Sequence, residues 1–333
     1  MSCFKGMEVN ENNLLPFLSP TADGTHWYEH SPEGQITNRD VGRYLLQFHQ
    51  LASIIASTSN VLKDIRFLDI GTGNGVLPQL ISQKLGAHSS VGIDPFEDGE
   101  HTTSWARNTR DTLVDLLVKR LSKEQLVFND YIDLLGHEQF STILPHLPLE
   151  DSKSDWTFVK TFIEEFETTE RFNVLFVKAI DHIHNWNSLF HAAYNLASEG
   201  AILIIKHNSF FSFNGAHRYA STFIPWGHVI LNDDEYKEYA DQFHSDRSSQ
   251  MQSFFFHELS YPRKTMSDLI NILYTNGWII RTIEVAIDKQ IDRKFELIGD
   301  PKELVQKAKK VYDNISLDEM SSGRYVIVSE KRK

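Results

Sequence analysis

A chain of 333 residues, 41% hydrophobic and 23% charged, has the makeup of a folded protein with one core and elaborations. Its formal net charge of −12 argues against a nucleic-acid partner, since phosphate binding needs clustered Lys and Arg and no dense basic run precedes Lys331-Arg332-Lys333. The single cysteine, Cys3, excludes an intramolecular disulfide, a multi-cysteine zinc site and a three-cysteine iron–sulfur cluster; no stretch approaches the roughly 18 apolar residues of a membrane span, so no membrane association and a cytoplasmic location are expected.

Residues 1–40 are irregular, punctuated by Pro16, Pro20, Gly24, Pro32 and Gly34. They carry His26, Trp27, Tyr28 and His30, which suit either surface packing or a flap over a ligand site. Val41, Tyr44, Leu45, Phe48, Leu51, Ile54 and Ile55 recur at helical spacing and predict an amphipathic helix over 41–57. Ile65 to Ile70 reads as a short strand, followed by the turn Gly71-Thr72-Gly73-Asn74-Gly75. Val76, Leu77, Leu80, Ile81 and Leu85 form a helical stripe that stops at Gly86, and Val91-Gly92-Ile93 is a second buried strand ending at Asp94-Pro95. This order is one right-handed βαβ unit.

Residues 100–122 predict a helix and Leu126–Phe128 a third strand. The spacing of Trp156, Val159, Phe162, Ile163 and Phe166 predicts a helix over 155–168. A fourth strand over Phe172–Val177, a helix over Trp186–Ala197 and a fifth strand over Ala201–Ile205 follow. Residues 208–260 break the alternation, being rich in Phe, His, Ser, Asn and Asp without a long period, and read as an insertion. Order resumes with a helix over Met266–Tyr274, a strand over Trp278–Ala286, a helix over Pro301–Ile315 and a last strand over Tyr325–Val328.

Such alternation predicts an α/β fold, a doubly wound, mostly parallel sheet with helices on both faces. The two terminal strands lack an ordinary crossover and predict an antiparallel hairpin at one edge. Residues 1–58 are read as an N-terminal helical extension and 59–333 as the main domain, with the 208–260 insertion as a lid. Ligands of such sheets sit beyond the carboxyl ends of the strands, at the switch point, which is where the glycine turn falls.

In Asp69-x-Gly71-x-Gly73-x-Gly75 the missing Cβ atoms let the backbone turn sharply and approach a ligand, while the following helix points its first amides at a negative group. Asp69 stands where it can accept from an ammonium group or water. A dinucleotide fingerprint would put glycine at position 76, where this chain has Val76, and an acid before the turn sits poorly beside a pyrophosphate. A nicotinamide-dependent oxidoreductase is therefore disfavoured.

The segments Phe67–Gly75 and Val91–Pro95 together resemble the first two motifs of class I S-adenosylmethionine (SAM)-dependent methyltransferases, over roughly residues 60–207 and 264–330. The resemblance implies a Rossmann-like, seven-stranded methyltransferase sheet with SAM as cofactor and S-adenosylhomocysteine as product. It implies that Asp69, Gly71, Gly73, Asn74 and Gly75 contact the methionine end, that Asp94 binds the ribose, and that Pro95 and Phe96 border the adenine. It places Asn129 and Asp130 at the adenine amino group and lays the backbone at Lys178 beside the methyl donor.

Because SAM supplies the electrophile, the protein mainly aligns donor and acceptor, and an alcohol acceptor benefits from a base. His182 and His217 are the candidate bases; Asp181 or Asn185 is the candidate cap of the helix beginning at Trp186. Asp181, His207, Phe211, Arg218, Trp226 and His228 are the candidate acceptor-binding residues. Rings mixed with Asn, His and Arg suit a sugar or an aromatic natural product equally. Arg218 and Lys206 suit an anionic acceptor, with Lys206 otherwise an exposed charge flanking its strand. A metal set from His207, His217 and His228 matches no signature spacing, so no metal is expected. The expected reaction is O-methylation of a small-molecule or carbohydrate hydroxyl, with a homodimer compatible with the chain. The alternatives are a non-catalytic SAM-binding domain and an N-methyltransferase of a small amine.

Overall fold

The computed structural model describes residues 2–17, 38–58, 64–96, 105–122 and 156–332. The third strand expected at Leu126–Phe128, the residues Asn129 and Asp130, and the aromatic group at His26–His30 lie outside them. The chain opens on a hairpin, β1 (Ser2–Phe4) and β2 (Met7–Val9), then enters helix α1 (Asn38–Ser57). β3 (Arg66–Ile70), α2 (Val76–Leu85), β4 (Ser89–Asp94) and α3 (Trp105–Ser122) follow, then β5 (Trp156–Lys160), β6 (Phe172–Val177), α4 (Trp186–Leu196) and β7 (Ala197–His207). Among the described residues the main sheet has seven strands in the order β5-β4-β3-β6-β7-β9-β8, where β8 is Trp278–Ile287 and β9 Ser322–Lys331.

β3 pairs in parallel with β4 on one side and β6 on the other, so the chain reverses its winding between β3 and β6. β6 is a continuous apolar run because both faces are covered. Val174 and Phe176 pack with α1, α2 and α3, while Leu175 and Val177 pack with α4 and with α9 (Met266–Thr275). α1 lies on the sheet through Val41, Leu45, Phe48, Ala52 and Ile55, the stripe its spacing predicts. The expected antiparallel hairpin forms, and its second strand β9 lies inside the sheet between β7 and β8.

Two expectations are corrected. Residues 156–160 form a strand, not the start of a helix, and pair in parallel with β4 at the sheet edge. The helical spacing there is a coincidence of a short segment whose outer side faces solvent, and pairing with an open sheet edge outweighs it. The insertion, read as lacking a long period, contains α5 (His217–Ala220), α6 (Gly227–Ile230), α7 (Asp233–Phe243), α8 (Ser248–Ser253) and a π-helical turn, Phe254–Glu258. Most of these are too short for a period to register. Asn232-Asp233-Asp234-Glu235 is nonetheless a legible start signal, with a capping box that satisfies two orphan amides of α7. Between β8 and β9 lie α10 (Ile291–Glu296), α11 (Pro301–Ala308) and α12 (Leu317–Ser321), so the helix expected over 301–315 ends at Ala308.

The insertion shares one core with two distant segments. Phe4, Val9 and Leu14 from the N-terminus, and Leu304, Ala308 and Ile315 from the β8–β9 connection, pack with Phe211, Trp226, Tyr236 and Phe255. Residues 2–17 thus join the insertion while α1 joins the sheet.

Glu319 on α12 ties this body to the sheet, accepting from the Met266 amide at 3.0 Å and the Ser209 hydroxyl at 3.3 Å. Burial pushes its carboxyl from 4.5 up to about 7, although both hydrogen bonds pull it down. A folded-state value above the unfolded one means stability is fully present below pH 4.5 and is lost as the pH rises toward 7. Glu319→Gln, which cannot ionise, should gain on the parent chain across that window. Urea unfolding at pH 4.5 and 7.5 checks this, and a constant difference between the two chains would refute it.

Candidate functional site

The site forms where β3, β4 and β6 end. Gly71, Gly73 and Gly75 all sit in the left-handed region, with φ of 70°, 62° and 74°, so the turn needs residues without a Cβ. The Gly71 and Thr72 amides donate to the Ile93 carbonyl at 2.9 and 3.1 Å, fastening the turn to β4. The Thr72 hydroxyl donates to Asp69 Oδ2 at 2.7 Å, and the side-chain Oδ1 of Asn74 accepts from the Val76 amide and the Tyr44 hydroxyl, tying the turn to α2 and α1. Burial, with Asp94 adding to it, pushes the Asp69 carboxyl up to about 7 against the pull of Thr72 and Lys178.

These residues fit the methyl donor that the sequence implies. A Cβ on Gly73 would meet nothing within 4 Å among the described residues, so with respect to them the turn borders open space beyond the strand ends. Asp94 accepts from the Gly73 amide at 2.8 Å and the Phe96 amide at 2.9 Å. Phe96 beside it is 47% exposed, presenting a ring on which an adenine can lie.

The other half of the site is built on the segment after β6. Lys178 is half-buried there, its ammonium pushed down to about 7 by burial first and then by Arg43 and Arg324, while Asp181 and Asp69 oppose the shift. Asn185, not Asp181, caps α4, accepting from the Ser188 amide at 3.1 Å. Asp181 is buried and instead pairs with His217, Nε2 to Oδ2 at 2.9 Å. Burial alone would raise the Asp181 carboxyl. The hydrogen bond from His217 and the charges of His182, His217 and His207 prevail and hold it well below the usual carboxylate range.

That pairing fixes the tautomers. A carboxylate only accepts, so His217 Nε2 carries a proton, and in the neutral ring the lone pair is on Nδ1. His182 Nδ1 donates to the Glu258 carbonyl, which also only accepts, at 3.0 Å. The two rings meet edge to face, centroids 5.2 Å apart, with the Phe254 ring against both. His217 has φ +54°, a conformation that costs a residue with a Cβ on the order of 1–2 kcal/mol and that the surrounding packing must hold. Ligand-capable atoms of Asp181, His182 and His217 lie within 4.8 Å of one another, a different set from the His207, His217 and His228 weighed on sequence.

Of the remaining candidates, the side chain of Arg218 lies outside the described ones, and the others are placed elsewhere. Phe211, Trp226 and His228 lie inside the insertion's core at 0, 1 and 2% exposure. His228 Nε2 donates to the Phe210 and Ser212 carbonyls at 3.0 and 3.1 Å, and burial pushes its pKa down to about 4. His207 is buried between Trp186 and Tyr325, also pushed down to about 4 by burial. It lines a small cavity with Asp181, Phe210 and Arg263. Lys206, read on sequence as an exposed charge, is buried at 6% exposure.

The profile of a family described as a methyltransferase domain matches residues 42–255. No curated protein sequence matches the chain. Among solved structures, a SAM-dependent methyltransferase from Mesorhizobium loti is similar at 12% identity, covering 85% of this chain and 100% of that one with a TM-score of 0.42. The plantazolicin methyltransferase BpumL in complex with SAH is similar at 13% identity over 89% and 87%, TM-score 0.42. A Bacillus halodurans protein is similar at 16% identity over 87% and 99%, TM-score 0.38.

Proposed function

Because this chain belongs to the methyltransferase domain family and is a SAM-dependent enzyme, we propose that it methylates a hydroxyl group of a small molecule or glycan, with His217 as the base. The observation that carries this reading is the Asp181–His217 pair, 2.9 Å apart, with Asp181 just past β6, the strand that pairs with β3 ahead of the glycine turn.

Bound SAM supplies an electrophilic methyl carbon, and S-adenosylhomocysteine leaves as the carbon–sulfur bond breaks. Asp69, the glycine turn and Asn74 would hold its amino-acid end, and Asp94 with Phe96 its nucleoside. A hydroxyl is a weak nucleophile at neutral pH, so its attack is helped by a group that takes the proton as the new carbon–oxygen bond forms. His217 is arranged for this: Asp181 orients the ring, keeps Nδ1 unprotonated and stabilises the imidazolium that results. His182, its ring edge-on to that of His217, is the second candidate base.

The test is to incubate the protein with methyl-labelled SAM and fractionated metabolite and glycan pools, then identify the labelled product. Label on an oxygen of a small molecule or sugar is the expected result. Label on nitrogen would overturn the hydroxyl assignment, and S-adenosylhomocysteine binding without any product would overturn catalysis. Loss of turnover on chelation, restored by a divalent ion, would replace the base by a metal held on Asp181, His182 and His217.

A further inference from the structure

Side-chain alternation places a row of charged groups along the carboxyl ends of the central strands. On β7, Ile202 and Ile204 point into the core shared with α1, α2 and α3, so Lys206 points the same way. Val174 and Phe176 of β6 do likewise, which carries Lys178 to that side, and Val326 on β9 carries Arg324 there. The register agrees: Val177 sits beside Ile205, putting Lys178 next to Lys206, and Lys206 sits opposite Val326, two residues from Arg324. Arg43 of α1 overlooks the row. Its charge, with those of Arg324 and Lys178, adds to burial in pushing the Lys206 ammonium well below its ordinary range.

Four cations from α1, β6, β7 and β9 thus converge. Arg43 and Arg324 are exposed at the mouth, Lys178 is half-buried, and Lys206 lies at the floor. Arg324 is positioned through its Nε, which donates to Asn208 Oδ1 at 3.1 Å. Lys206 makes no hydrogen bond or ion pair with the described residues. The acids of the site, Asp69 and Asp181, act on Lys178. An uncompensated buried ammonium costs several kcal/mol, and three like charges around it make it costlier. Burial and the like charges disfavour the protonated form of Lys206, and an anion brought beside it from solution would restore the charge.

The position of the row separates two sources for that anion. The methionine end of the donor belongs to the turn on β3, and strands lie about 4.8 Å apart. Lys178 on β6 is one strand away, within reach of the donor's carboxylate, whereas Lys206 and Arg324 are two and three strands away, roughly 10 and 14 Å. We propose that Lys206 and Arg324 form an anion subsite for the acceptor, so that the molecule methylated carries a carboxylate or phosphate group besides its hydroxyl. This rests on the reading that the acceptor enters the crevice beyond β6 and β7.

Inorganic phosphate and succinate serve as probes, titrated calorimetrically into protein saturated with S-adenosylhomocysteine. The parent chain should bind at least one of them. A hydrogen bond to a charged group contributes about 1.5–3 kcal/mol, so Lys206→Met and Arg324→Met should each weaken that binding about 10- to 100-fold. Lys206→Met should not lower the melting temperature, since it removes a buried charge without a partner, and Arg324→Met, at the rim, guards against a folding defect. Both variants should bind S-adenosylhomocysteine within about threefold of the parent. If neither probe binds, or both variants bind them like the parent, the subsite is refuted. Should Lys206→Met lose S-adenosylhomocysteine affinity while keeping that for methylthioadenosine, which lacks the amino-acid end, the anion is the donor's carboxylate and the acceptor assignment falls. Because the readout is binding of anions, a failure of His217 as base would leave this result unchanged, and the two readings fail separately.

Discussion

Valine in place of Gly75 is expected to weaken S-adenosylhomocysteine binding by at least about 100-fold while leaving the protein folded. Two effects add. Gly75 has φ +74°, which a β-branched residue adopts only under strain on the order of 1–2 kcal/mol or more. Its Cβ would also lie 2.9 Å from Cζ3 and 3.2 Å from Cη2 of Trp156, a half-buried ring on the edge strand β5. Relief of both requires the turn to shift, and with it the first amides of α2 and the Gly73 amide held by Asp94. Each lost hydrogen bond to a charged group contributes about 1.5–3 kcal/mol, so losing one or two accounts for the effect. Isothermal titration measures it, with circular dichroism to confirm the fold. Affinity within a few-fold of the parent would sink the assignment of the turn to the donor. Gly73→Ala is the informative partner, because its Cβ meets no atom of the described residues within 4 Å, and a loss there reports strain at φ +62° or collision with the ligand itself.

His217→Ala should lower kcat by about 10²- to 10⁴-fold with S-adenosylhomocysteine affinity nearly unchanged, the range expected for removing a positioned base. Asp181→Asn should approach the same loss for a different reason. The asparagine amide can present a proton to Nε2, which moves the ring proton to Nδ1 and takes away the lone pair that accepts from the acceptor. Added imidazole should restore part of the activity of His217→Ala and none of that of Asp181→Asn, whose own ring still fills the place. A structural role for the pair would instead appear as lost stability in both variants and no rescue. Near-parent turnover in His217→Ala, with the acceptor identified by labelling, would remove His217 from the reaction and leave His182 to be tried.

The two halves of the site differ in how far the sequence reveals them. Asp69 through Gly75 and Asp94 lie within one βαβ unit, so the spacing of strand, turn and helix assembles them with little help from the rest of the chain. Val76 in place of a glycine already separates SAM from a dinucleotide at the level of residues. The parallel sheet was legible for the same reason, since β3, β4, β6 and β7 announce themselves as short apolar runs. β5 was not, because an edge strand lacks the full burial that writes such a run, and its rings fall by chance at helical spacing.

The acceptor half depends on contacts between segments far apart in the chain. His217 reaches Asp181 across 36 positions only because the insertion folds back over β6, and His182 is held by the Glu258 carbonyl from the far end of that insertion. Sequence could propose His182, His217 and Asp181 singly, but no period or spacing pairs them. The same folding draws Phe211, Trp226 and His228, aromatic and polar enough to look like ligand contacts, into a core completed by the N-terminal hairpin and by α11. Lys206 shows the limit most plainly. Alternation says which face a strand residue takes but not what covers that face, and here α1 and two neighbouring strands turn an apparently exposed charge into the buried floor of a cationic crevice. The proposed donor site is thus a property of local sequence, because its parts are neighbours along the chain. The proposed acceptor site is a property of the tertiary fold, because burial and charge pairing are decided by residues the chain brings together only when it closes.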